Sequence, residues 1–173
     1  LPTNELDEVL NREFKLNPQS TFMDVGSVKN EVLLKVEGVA GLASRFVPSH
    51  PMAGREIGGA GSARADLFQG RSWVITPISQ TSSESLQTVE ALIALLGATA
   101  LKMSPADHDA AVAKVSHLPQ IVSSLLAKQL MGTKQEWMEL SGQGLRDSTR
   151  IAGSDAHLWK EIIFSNRQVL SGL

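Results

Sequence analysis

The chain has 173 residues, 42% of them hydrophobic, enough for one domain or two small ones around a packed core. Its 16 basic and 18 acidic residues leave a formal charge of −2, which argues against nucleic acid as the main partner, because phosphate binding needs a basic surface. Cysteine is absent, which excludes disulfides and thiol catalysis, and no apolar run approaches the roughly 18 residues of a membrane span.

Residues 3–13 carry a helical pattern, with Leu6, Val9 and Leu10 on one face. "STFMDV" (20–25) reads as a buried strand running into "DVGSVK". A helix follows over 28–37, with Val28, Val32 and Val36 at i, i+4 and i+8. "SRFVPS" (44–49) is a second strand. Gly58, Gly59 and Gly61 mark a loop, and "SWVITP" (72–77) is a third strand stopped by Pro77. "SSESLQTVEALIALLG" is a helix that Ser82 or Ser83 caps and Gly97 ends. "TALKM" (99–103) is the last strand. This alternation predicts an α/β sheet.

From Ser104 the character changes. "SPAD" starts a helix with Ser104 as N-cap, Pro105 at N1 and Asp107 at N3; Asp107 and Asp109 suit the positive end of its dipole. That helix should run to about Leu130 with a kink at Pro119. Residues 135–141 and 155–170 also read as helical, with no further strand. The boundary is therefore placed near 103, with an α/β part over 1–103 and an all-α part over 104–173. The acidic start (Glu5, Asp7, Glu8) does not read as a signal peptide, so the expected location is cytoplasmic.

Three stretches could carry chemistry, each with a plainer reading beside it. In "DVGSVK" (24–29) a strand ends in Asp and a helix begins, which is where open α/β sheets bind ligands. Ser27 either caps that helix or presents its hydroxyl to a substrate. In "PSHPMAGRE" (48–56) His50 sits between two prolines that stiffen the backbone. It is either a solvated loop histidine or a general base at a strand end. In "VSHLPQ" His117 precedes Pro119, and it is either a core histidine or a group at the bend. "RDSTR" puts Arg146 and Arg150 on one face if helical, either as a solvated face with Asp147 or as a carboxylate clamp. "DHD" (107–109) is not a metal site on this reading, because adjacent residues do not converge on a helix. Neither HExxH nor the GxSxG elbow is present, and "GGAGSA" (58–63) makes a poor phosphate loop. No metal is expected.

Taken in order, "DVGSVK", "SHPMAGRE", "LFQGRSWVITP", "SPADHD", "VSHLPQ" and "GLRDSTRIAGSDAHLWKEI" closely resemble the prephenate and arogenate dehydrogenase family, over roughly residues 18–170. The resemblance implies a Rossmann-type nucleotide-binding domain, present in part over 1–103, and an all-α helical domain over 104–173 that binds substrate and forms a homodimer. It implies an oxidoreductase of tyrosine biosynthesis. The reaction would convert prephenate to 4-hydroxyphenylpyruvate by oxidative decarboxylation, with hydride passing to NAD or NADP; arogenate is the alternative substrate. His50 would take the ring hydroxyl proton. Ser27 would contact the same hydroxyl and, with Gly26, lie near the nicotinamide. Arg150 would hold a substrate carboxylate, His117 would line the pocket, and Glu56 and Asp147 would stand near its mouth.

Two departures accompany the resemblance. The G-x-G-x-x-G fingerprint and the acidic residue that reads the ribose are absent from the chain. The expectation is a truncated product that binds NAD(P) poorly and turns over slowly or not at all alone. The family often has Gly-Gly before "HPMAG", where this chain has Pro48-Ser49. Two rivals remain: a non-catalytic module that dimerises or binds a carboxylate ligand, and another two-domain dehydrogenase of the 3-hydroxy-acid type.

Overall fold

The computed structural model describes residues 6–54, 61 and 63–173, and these divide into two compact units after residue 110. The loop glycines Gly58 and Gly59, and Glu56 with them, lie outside the described residues.

The first unit is a layered α/β arrangement. Helix α1 (Leu6–Leu16) leads to strand β1 (Phe22–Met23), helix α2 (Asn30–Glu37) and strand β2 (Phe46–Val47). Strands β1 and β2 pair in parallel, Phe22 against Phe46 and Met23 against Val47. Successive residues of a strand face opposite sides, and here the alternation builds two cores. Phe46 packs with Leu10 of α1 and Val32 and Val36 of α2, and Phe22 adds to that side. Val47 and Met23 face the other core with Val89 and Ile93. The helical stripes read from sequence are the ones that are buried: Val28, Val32 and Val36 are 6%, 6% and 0% exposed.

The strand expected over 44–49 is divided at Pro48. Beyond it, β3 (Ser49–Pro51) pairs antiparallel with β4 (Ser72–Ile75), which pairs in parallel with β5 (Thr99–Lys102). Proline has no N–H to continue a ladder. The Pro48 carbonyl accepts from Thr76 N at 2.9 Å, so the chain changes partner strand at that residue. His50 therefore lies within a strand, opposite Val74, and not on the loop predicted for it. Pro51 is tolerated because β3 stands at the edge of its three-stranded sheet.

Helix α3 (Ser83–Leu95) joins β4 to β5. Ser82 caps it, accepting from Ser85 N at 3.1 Å. Gly97, at φ +74°, lets the chain leave. Helix α4 (Pro105–Val112) follows, and the division between the units falls inside it.

The second unit is helical. A π-helical turn (Ala113–His117) precedes α5 (Leu118–Gln129), then come α6 (Gln135–Met138), α7 (Gln143–Thr149), a 3-10 turn (Arg150–Gly153), α8 (Ala156–Ser165) and α9 (Arg167–Leu170). The kink expected at Pro119 takes the form of this π turn. The proline ring excludes the carbonyl four residues back, and a wider helical turn accommodates that loss. Among the described residues no helix is long and apolar enough to cross a membrane.

Candidate active site around His50

The strand that carries His50 is held by a buried clamp on its neighbour Ser49. Asp24, directly after β1, accepts from Ser49 N at 2.9 Å through its carboxylate, and its backbone carbonyl accepts from Ser49 Oγ at 2.6 Å. The Trp73 indole N–H donates to Ser49 Oγ at 3.0 Å. Lys29, fully buried, donates its ammonium to the Asp24 carboxylate and to the Ser49 carbonyl. Burial pulls the Lys29 ammonium below the ordinary lysine value, against the opposing attraction of Asp24 and Asp109. Every backbone and side-chain polar group of Ser49 is thus engaged. A glycine at this position would lack the hydroxyl that joins Trp73 to Asp24.

A second chain of hydrogen bonds reaches His50 from α4. Its Nδ1 lies 2.9 Å from His108 Nε2, with the rings edge to face at 5.1 Å between centroids. His108 Nδ1 lies 2.7 Å from Asp109 Oδ1. The Asp109 carboxylate also accepts Lys29 N at 2.8 Å and Asn30 N at 2.9 Å. Burial works to raise the Asp109 carboxyl, but the His108 bond and the two amides outweigh it and hold the group below its ordinary value. His108 and Asp109 are 1% and 0% exposed.

This corrects the sequence reading of "DHD". Only Asp107 serves the start of its own helix, where its N–H donates to Ser104 Oγ at 3.0 Å. Asp109 caps a different helix, α2. Ser27 is correspondingly not the cap of α2: the N-cap position is Lys29, without a side-chain bond of its own. Ser27 is half-buried in the turn between β1 and α2. Gly26 donates its N–H to Asp24 Oδ2 at 2.9 Å, and a Cβ there would stand 3.0 Å from the same oxygen. Its smallness is needed for the clamp.

In the second unit, His117 is 1% exposed. Asn166 Nδ2 stands 3.1 Å from its Nδ1, and its ring meets Trp159 edge-on at 6.0 Å. These contacts fix the position of the ring. Arg150 opens the 3-10 turn and is exposed, one residue beyond α7, which carries Arg146. Asp147 accepts from the Gln143 amide at 2.7 Å, and Gln143 also accepts from Arg146 Nε. The turn that carries Arg150 is anchored by Gln120, whose buried amide donates to the Ile151 carbonyl at 3.0 Å. Sequence reading missed Gln120, His108, Ser49 and Lys29. The one local signal was the pair of apolar-flanked polar residues in "VGSVKN" and "ADHDAA", since polar groups on a buried face need partners.

A nicotinamide dinucleotide would need open backbone amides for its pyrophosphate. In the first unit, Asp109 accepts two amides at the start of α2, and Ser82 and Ser104 accept one each at the starts of α3 and α4. Among the described residues no group of three or more metal-ligating side chains forms.

Residues 1–102 match the sequence model of the prephenate dehydrogenase nucleotide-binding domain, and residues 104–173 that of the prephenate dehydrogenase dimerization domain. The chain is 31% identical over 147 residues to the prephenate dehydrogenase of Bacillus subtilis, covering 83% of this chain and 40% of that protein. Its fold superposes on prephenate dehydrogenase from A. aeolicus, solved with hydroxyphenyl propionate and NAD+, with a TM-score of 0.89 and 30% identity. That match covers 99% of this chain and 61% of the other. Arogenate dehydrogenase from Synechocystis gives a TM-score of 0.82 at 30% identity, over 99% of this chain and 63% of that one. The chain thus spans less than two thirds of the length of each of these relatives.

Proposed function

The chain belongs to the prephenate dehydrogenase family, and from that premise we propose that its residues serve the oxidative decarboxylation of a cyclohexadienol. Prephenate is the first substrate by this reading and arogenate the second. NAD(P), when bound, supplies the hydride acceptor. His50 takes the proton of the ring hydroxyl as the carbon beneath it is oxidised, and loss of the ring carboxylate as CO2 leaves an aromatic product. The observation that supports this most is the fixation of His50: its strand is locked through Ser49, and its ring is held through His108. Proton transfer depends on geometry before pKa.

Ser27 is proposed as a second contact to the hydroxyl and, with Gly26, as a neighbour of the nicotinamide. Arg150 is proposed to take a substrate carboxylate, since an anion leaving water needs a cation and guanidinium fits it in two bonds. His117, Glu56 and Asp147 are the remaining substrate-side candidates, with His117 acting from the fixed position that Asn166 and Trp159 give it. A homodimer is part of the same proposal, as is the division into domains over 1–103 and 104–173.

The test is formation of reduced nicotinamide from prephenate and from arogenate. It is run on the chain and on the chain joined to those portions of the A. aeolicus relative that it does not span. Turnover is expected in the joined form. There, His50→Asn should lower kcat by about 10²–10⁴-fold, the range for loss of a general base. No turnover in either form, or a His50→Asn rate equal to wild type, refutes the reading.

A further inference from the structure

We propose that His108 and Asp109 are positioning residues that fix the tautomer of His50, so that its Nε2, and not its Nδ1, is the atom that accepts the substrate proton. The inference rests on the reading of His50 as the base.

It follows from the donor and acceptor roles of three groups in a row. An ionised carboxylate only accepts hydrogen bonds. Asp109 already receives the Lys29 and Asn30 amides, so His108 Nδ1, at 2.7 Å, must bring the proton of that contact. Neutral His108 then has its lone pair on Nε2. His50 Nδ1 lies 2.9 Å from that lone pair and must donate to it. A neutral His50 with its proton on Nδ1 has its own lone pair on Nε2. Asp109, whose ionised state is secured by three donors, orients both imidazoles. Among the described residues, Asp24 and Lys29 are paired with each other and with Ser49.

The device has a second consequence. When His50 Nε2 takes a proton, the ring becomes an imidazolium whose Nδ1–H still points at the His108 acceptor. His108 is in turn polarised by Asp109, so the new positive charge meets an oriented acceptor at no reorganisation cost. The same carboxylate closes the N-terminus of α2, which ties the position of the relay to the helix that follows the Ser27 turn.

The experiment is 15N NMR of histidine side chains in the 173-residue protein at a pH of about 8.5, well above the unperturbed histidine value of roughly 6.5. For both His50 and His108 the expected spectrum has a protonated Nδ1 and a pyridine-like Nε2. In His108→Phe the His50 signals should move away from that pattern. A wild-type His50 protonated on Nε2, or one averaged between the two forms, overturns the proposal, as does a His50 tautomer unmoved by His108→Phe. The wild-type spectrum decides the matter even if the variant does not fold. Failure here would leave His50 as a base acting through its other nitrogen. Failure of the His50→Asn test would remove the base while leaving the hydrogen-bond geometry intact.

Discussion

At the scale of single residues, Ser49 ties three segments of the first unit together. Its hydroxyl donates to the Asp24 carbonyl and accepts from Trp73 Nε1. Ser49→Ala removes that hydroxyl and strands a buried indole N–H, so urea unfolding should report a loss of about 1–3 kcal/mol. Lys29 is more exacting. Lys29→Met leaves the Asp24 carboxylate buried beside amides alone, and the expected loss is about 3–5 kcal/mol by the same measurement. His50 was legible in the sequence because two prolines flank it, and proline's effect on its neighbours is local. Its partners were not legible. His108 is 58 residues away and Asp109 reaches back 80 residues to Lys29. Read locally, the two aspartates of "DHD" both suit the dipole of their own helix; only the fold separates Asp107, which caps it, from Asp109, which caps another.

At the scale of elements, the periodic helices and the positions of the strands were readable, while the exact limits and pairing of the strands were not. Val32 and Val36, or Val89 and Ile93, fall at helical spacing and face one core each. Ile93→Ala, at 0% exposure, should cost about 2–5 kcal/mol through lost burial and the cavity left behind. The strands are two to four residues long, too short for alternation to register, and the partner exchange at Pro48 depends on β4, more than twenty residues on. The start of α2 carries a pH dependence. The folded Asp109 pKa lies below its ordinary 3.8. Its contribution to stability is therefore fully present above that ordinary value and is lost as pH falls through the lowered folded value. Stability measured by urea unfolding should separate wild type from Asp109→Asn at neutral pH, and the gap should close in strong acid. A gap independent of pH would mean that the carboxylate is not ionised in the folded chain.

At the scale of the whole molecule, the helical unit leaves an apolar stripe. Val115, Leu118, Val122 and Leu125 are 71%, 40%, 56% and 54% exposed, and their spacing places them on one side of the π turn and α5. Such a surface, in a region matching a dimerization domain, is expected to be covered by a second copy of the chain. Light scattering should give twice the 18.6 kDa of one chain, and Val122→Glu with Leu125→Glu should shift it to the single mass. Cofactor affinity belongs to this scale as well. With no G-x-G-x-x-G in the chain, NAD(P) titrated against the fluorescence of the 3 tryptophans should bind more weakly than micromolar.

The proposal that His50 meets a ring hydroxyl can be separated from cofactor binding altogether. The A. aeolicus relative was solved with hydroxyphenyl propionate, and calorimetric titration of that compound against phenylpropionate isolates the hydroxyl. The wild-type chain should prefer the hydroxylated ligand by roughly tenfold, about 1.4 kcal/mol for one hydrogen bond to the imidazole. His50→Ala should bind both alike. Equal affinities in the wild type, or a preference that survives in His50→Ala, would contradict the assignment of His50 as the group that takes the proton.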